Sequence, residues 1–240
     1  MRHHPLLALA VLAASSGAAL ATTCEARSAA TAPTIVELYT SEGCSSCPPA
    51  DRWLSSLKPG SGLIALSFHV TYWDRLGWPD RFALPEATAR QRDLARVAGS
   101  AQVYTPQVVV DGRDWQAWPR LPKAAAPATP LPGLHLTRDG ESVTATVQPA
   151  TAGPAQFGGY WAVVEDSHVT QVKAGENRGE TLKHDHVVRL YKPVAGWSAA
   201  KGSTSTIGIS RGAPEFPRRV IFVVTDPATQ RPLQALALGC

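Results

Sequence analysis

Apolar positions between residues 34 and 112 fall into short continuous runs that alternate with helical spacing. Thr34-Ile35-Val36-Glu37-Leu38-Tyr39-Thr40 and Leu63-Ile64-Ala65-Leu66-Ser67-Phe68-His69-Val70 are rich in β-branched and aromatic residues and have the length of buried strands. Between them Ala50, Trp53, Leu54 and Leu57 recur at helical intervals, which predicts a helix over 48–58 stopped by Pro59-Gly60-Ser61-Gly62. A second helix is predicted over 85–98, with proline near its first turn and Gly99 as its stop. Val103-Tyr104-Thr105-Pro106-Gln107-Val108-Val109-Val110 then reads as a strand opened by proline. Asp111-Gly112 supplies a hairpin turn, and a short strand returns through Trp115. The following Trp118 to Pro127 holds too many prolines for a good closing helix.

Ala124 to Pro132 is an Ala/Pro-rich linker, and beyond it the period changes to two. Leu134-His135-Leu136-Thr137 and Ser142 to Val147 flank Arg138-Asp139-Gly140-Glu141, a predicted hairpin. Further strands are predicted at 160–164, 184–191, 203–209 and 220–225, with no clear helix among them. The order strand, helix, strand, helix, hairpin predicts an α/β thioredoxin-like domain over about 32–125. A β-rich C-terminal domain, antiparallel sheet or sandwich, is predicted over about 130–240.

The start of the chain changes the picture. Arg2, His3 and His4 precede an apolar run from Leu6 to Ala14 and a small-residue tail to Ala21, the composition of a cleaved signal peptide over 1–22. No other stretch has the length to span a membrane, so the expected location is secreted or periplasmic. Export puts four cysteines in an oxidising space, where Cys24 and Cys240, near opposite ends of the mature chain, form a candidate staple. With 44% hydrophobic residues and a formal charge of +4 spread without a basic-aromatic repeat, nucleic-acid binding is not expected.

Candidate chemistry concentrates in Gly43-Cys44-Ser45-Ser46-Cys47-Pro48-Pro49, at the junction of the first strand and first helix. A C-x-x-C pair at a helix start is a redox arrangement, because the positive helix end favours a thiolate. An inert structural disulfide also fits the spacing. Zinc ligation needs a second ligand pair, and the sequence has no other C-x-x-C or close Cys/His cluster. Thr105-Pro106 is expected to be a cis bond facing the cysteines, leaving the backbone before it free to pair with a partner. Tyr72, Trp73 and Trp78 leave the same sheet edge and are read either as a rim that holds a partner peptide or as packing residues. His184 and His186 alternate on a predicted strand, so they are expected to share a face, and Gly175-Glu176-Asn177-Arg178-Gly179 reads as a turn.

Four blocks in order resemble a bacterial secreted family, domain of unknown function 1223. They are Val36 to Asp51 around the cysteines, Phe68 to Asp74 with Gly77-Trp78, Tyr104 to Gly112, and Gly175 to Gly179 with Leu182 and His184. The resemblance implies a thioredoxin-like domain, a β-rich C-terminal part and export, and supplies no reaction. The residues themselves lead to thiol–disulfide exchange on protein thiols or a redox partner protein. Cys44 attacks as an exposed nucleophile, Cys47 resolves, and Thr105-Pro106 docks the partner, without a cofactor or metal. The competing readings are a binding module stapled by Cys44–Cys47, and a metal-handling protein that adds His69 or His184 to the thiols.

Overall fold

The computed structural model describes residues 24–58, 60, 62–122 and 131–240; the signal segment predicted over 1–22 and most of the Ala/Pro linker lie outside them. In chain order the elements are β1 (Cys24–Arg27), β2 (Thr34–Thr40), α1 (Pro48–Ser56), β3 (Leu63–His69), α2 (Pro85–Val97), β4 (Gln107–Val110) and β5 (Arg113–Asp114). There follow β6 (Leu134–Asp139), β7 (Ser142–Val147), β8 (Gln156–Glu165), β9 (His168–Gln171) and β10 (Thr181–His184). The chain closes with β11 (Val187–Ser198), β12 (Ser203–Gly208), β13 (Arg218–Thr225) and β14 (Pro232–Leu238). A 3-10 segment, Thr71–Leu76, follows β3.

The expected α/β thioredoxin-like domain followed by a β-rich C-terminal domain is not what the chain builds. Sheet dominates among the described residues, 42% strand against 15% helix. Strands from both halves share one eight-stranded sheet in the order β14-β13-β8-β11-β3-β2-β4-β5. The physical cause is the outer edge of β3. There β11 pairs in parallel at Val187↔Ser67, and Ser67 N donates to His186 O at 2.8 Å. A run such as Leu-Ile-Ala-Leu-Ser-Phe-His announces a strand buried on both faces but carries no mark of which strand lies beside it.

A four-stranded sheet, β1-β6-β7-β12, packs on the same protein as a second layer. Alternation along β8 and β13 divides the core. Trp161, Val163, Val220, Phe222 and Val224 face Leu136, Val143 and Ala145 of the small sheet. Tyr160, Ala162, Val164, Ile221 and Val223 join Leu66, Phe68, Ala87 and Leu94 on the α2 side. Helix α1 covers Val36, Leu38, Ala65, Val108 and Val110 through Ala50 and Leu54.

A polar network is buried within this core. Arg90 of α2 holds Glu37 of β2 with two bonds, Nη2 to Oε1 at 2.5 Å and Nε to Oε2 at 3.2 Å. Tyr39 and Tyr160 hydroxyls donate to the same carboxylate at 2.8 and 3.1 Å, and Arg90 Nη1 donates to the Tyr191 hydroxyl at 3.2 Å. The network ties α2 to strands from both halves of the chain.

Candidate functional site

At the end of β2 the backbone makes two successive turns, Cys44 N to Ser41 O at 3.1 Å and Cys47 N to Cys44 O at 3.2 Å. Helix α1 begins at Pro48, which suits a first helical position because proline has no N–H to leave unpaired. Ala50 N and Asp51 N both donate to Cys47 O, at 2.9 and 3.1 Å. Cys44 and Cys47 are joined as a disulfide, and Cys24 is joined to Cys240. Both bridges suggest an oxidising compartment. Cys44 and Cys47 are each 0% exposed, although Ser45 and Ser46 between them face solvent. The sequence led us to expect an exposed Cys44 over a buried Cys47. The difference has a specific cause in the turn between β9 and β10.

That turn, 175–179, sits on the C-x-x-C loop. Asn177, buried, donates from Nδ2 to Glu42 O at 2.8 Å and to Cys44 O at 2.9 Å. Glu176 Oε2 accepts from Ser45 Oγ at 2.7 Å and Ser45 N at 3.2 Å, and these bonds lower its pKa from the usual carboxylate value. Gly175 has φ of +73° and a Cβ there would stand 3.1 Å from Trp78 Cβ, so both its conformation and the close approach call for glycine. A polar side chain more than 130 positions away in sequence thus fixes the cysteine loop.

The aromatic segment turns its polar tips inward. Trp73 Nε1 donates to Thr105 Oγ1 at 2.8 Å, and the Trp73 Cβ lies 3.4 Å from where a Cβ on Gly43 would be, so Trp73 bridges the cysteine loop and the proline loop. Thr105-Pro106 is cis, and both residues are half-buried. Trp78 Nε1 donates to Glu42 Oε2 at 2.9 Å. Tyr72 turns instead toward α2, its hydroxyl donating to Gln91 Oε1 at 3.2 Å. Cys44, Cys47, Trp73, Trp78 and Thr105 are therefore drawn together, and the Tyr72 hydroxyl also approaches the Thr105 side chain.

Next to the cysteine loop lies a buried set of titratable groups. Asp80 is its hub: Oδ2 accepts from Glu42 N at 2.8 Å and lies 2.6 Å from His69 Nδ1, while Oδ1 accepts from Phe82 N at 2.8 Å. Burial alone would raise the Asp80 pKa, but the His69 charge and these bonds prevail and bring it down to about 2. Burial likewise opposes a charged His69, and the Asp80 carboxylate overcomes it and raises the His69 pKa. Burial pushes Glu42 up too, yet the nearby His184 ring and the Trp78 N–H leave it lowered. Asp51 is raised by burial, which the neighbouring His184 and His69 offset only in part. His184 Nε2 stands 3.5 Å from Glu42 Oε1, an ion-pair distance rather than a good hydrogen bond.

The Asp80–His69 pair has a defined pH signature. Asp80, depressed from 3.8 to about 2, stabilises the fold above its unfolded pKa and loses that contribution as pH falls toward 2. His69, raised from 6.5, stabilises below its unfolded pKa and loses that contribution as pH climbs through the folded value. The stability difference between wild type and Asp80→Asn is therefore expected to be largest from about pH 4 to about 6.5. Toward pH 2 it should shrink by about 2 kcal/mol, read by urea unfolding across pH. A difference that stays flat with pH would mean that the pair is not charged.

His184 and His186 do not share a strand face. β10 ends at His184, and His186 takes φ of +58° in the turn before β11. His186 Nε2 lies 3.0 Å from Leu57 O and Nδ1 lies 2.9 Å from Arg219 Nη2, on the other side of α1's C-terminal end. The pattern His-Asp-His suggested alternation, and a positive φ is invisible to it. Among the described residues no group of three or more His, Cys, Asp or Glu side chains is arranged to hold a metal ion. Nor is any described helix long and apolar enough to cross a membrane.

Fold and site together define a mixed-sheet protein with an enclosed C-x-x-C disulfide gripped by a turn from its C-terminal half. The profile of the family described as a protein of unknown function, DUF1223, matches residues 35–225, and the chain belongs to that family. A crystal structure of protein AGR_C_4864 from Agrobacterium tumefaciens shares the fold with TM-score 0.62 and 24% identity, over 87% of this chain and 94% of that one. HBP35 of Porphyromonas gingivalis aligns over 88% of this chain and 76% of that one at 13% identity, with a TM-score of 0.49 that is too low to equate the folds. No curated protein matches the chain.

Proposed function

We propose that this is an exported thiol–disulfide oxidoreductase that works through Cys44–Cys47 on protein thiols or a redox partner protein. The observation that carries the reading is the set of buried polar atoms without hydrogen-bond partners beside the pair. They are Thr40 Oγ1, Glu42 Oε1, Asp51 Oδ1, His69 Nε2, Thr170 Oγ1 and both ring nitrogens of His184. Each such atom costs about 1–3 kcal/mol, and a disulfide that only ties a turn gives no reason to keep them. A pair that is cleaved and reformed does, because reduction generates thiolates that need protons from nearby groups. In this reading Cys44 is the attacking sulfur and Cys47 resolves. The backbone at Thr105-Pro106, with Trp73, Trp78 and Tyr72 around it, receives an extended partner segment. Access to the sulfurs requires the 175–179 turn to lift from the loop.

The complete burial of both cysteines favours one other reading, a binding module in which Cys44–Cys47 is a permanent staple. The two separate on the reduction potential of the pair, measured by thiol trapping across a glutathione series with Cys44→Ser as control. A potential between about −120 and −270 mV is expected for exchange. A value below about −300 mV, or a pair that reacts only in denaturant, would make it structural.

A further inference from the structure

A cavity of about 260 Å3 opens between the first turn of α1 and β10, lined by Pro48, Asp51, Arg52, Thr181, Leu182, Lys183 and His184. Its chemistry is divided. Asp51, 6% exposed, and His184, 2% exposed, contribute buried polar atoms, Asp51 Oδ1 and His184 Nδ1, that have no hydrogen-bond partner. The buried wall therefore offers the unmatched Asp51 carboxylate oxygen, which asks for a donor, preferably a cationic one.

The outer wall has the opposite character. Arg52 and Lys183 are exposed, and neither is bonded to a carboxylate among the described residues. The helix terminus contributes no free N–H, since Pro48 and Pro49 have none and Ala50 N and Asp51 N are taken by Cys47 O. An anionic group at the mouth is thus met by two side-chain cations, while Pro48 and Leu182 supply apolar contact between the two ends. A buried acid opposite two exposed cations is the complement of a small zwitterion.

We propose that this cavity binds a free α-amino acid, its ammonium on Asp51 and its carboxylate on Arg52 and Lys183, cysteine-type thiols being the class of interest. The choice of a thiol rests on the exchange reading, because Pro48 adjoins Cys47; the zwitterion site itself does not. Binding is therefore tested on the oxidised protein with S-methylcysteine, a thioether that cannot exchange, followed by amide resonances of α1 and β10. Saturable millimolar binding is expected, with loss of at least about tenfold for the methyl ester and for N-acetyl-S-methylcysteine. Arg52→Glu/Lys183→Glu, changed only at exposed side chains, should weaken S-methylcysteine by a similar factor and leave the fold intact. No saturable shift in wild type, or equal binding of the ester and the N-acetyl compound, would overturn the site. Either result would leave the redox reading to be judged by the potential of Cys44–Cys47.

Discussion

Replacing Arg90 with methionine is expected to lower the free energy of unfolding by about 3–5 kcal/mol, the largest loss for any single change in this core. Arg90 and Glu37 side chains are only 3% and 4% exposed, so water cannot take over either charge. Removing the guanidinium leaves Glu37 buried among Tyr39 and Tyr160, whose two hydroxyl bonds do not balance a full negative charge. It also removes a cation that sits 4.4 Å from the centre of the Tyr160 ring. Equilibrium denaturation should show a lower midpoint, with a melting temperature down by about 10 °C. The double variant Glu37→Gln/Arg90→Met should recover part of the loss, because it removes the stranded charge along with its partner. A double variant no better than Arg90→Met alone would mean that packing, rather than charge, sets the cost.

Cys24→Ser/Cys240→Ser is expected to cost up to about 5 kcal/mol, through the unfolded chain more than through any native contact. The bridge spans 216 positions, so it closes nearly all of the described chain into one loop and removes that closure entropy from the unfolded state. It also fastens β1, an edge of the small sheet, to the residues just after β14, an edge of the large one. The melting temperature of the double variant should fall by about 10–20 °C. Cys44–Cys47 closes so short a ring that the same reasoning gives only about 2 kcal/mol for breaking it. If both double variants lost equal stability, chain entropy would not be the main term.

Much of the local structure could be read from the sequence because it is local. The run Thr34 to Thr40 is β2 residue for residue, and α1 starts at Pro48 because proline suits the first turn and nothing earlier in the loop does. The disulfide between Cys44 and Cys47 follows from their spacing. The Cys24–Cys240 staple held, and what failed was the inference about which distant strands lie side by side. β3 and β11 look like any buried strands, and no feature of either names the other, so one sheet was divided into two domains. The site shows the same limit. Asn177 looked like one residue of a turn, and its role depends on where Glu42 and Cys44 carbonyls end up. His69, Asp80 and Asp51 are separated by up to 29 positions, and only the fold brings them into one buried set.

The parallel pairing of β11 with β3 also governs how the chain must assemble. Val187 and Ser67 are 120 positions apart, so this seam is among the last contacts that a collapsing chain can make. Until this bridge forms, the outer edge of β3 lacks its partner at Ser67 on a strand of mostly apolar residues, and an open apolar edge is a surface on which one chain templates another. Refolding yield should therefore fall as protein concentration rises, with the seam, rather than the melting point of the finished fold, setting the limit.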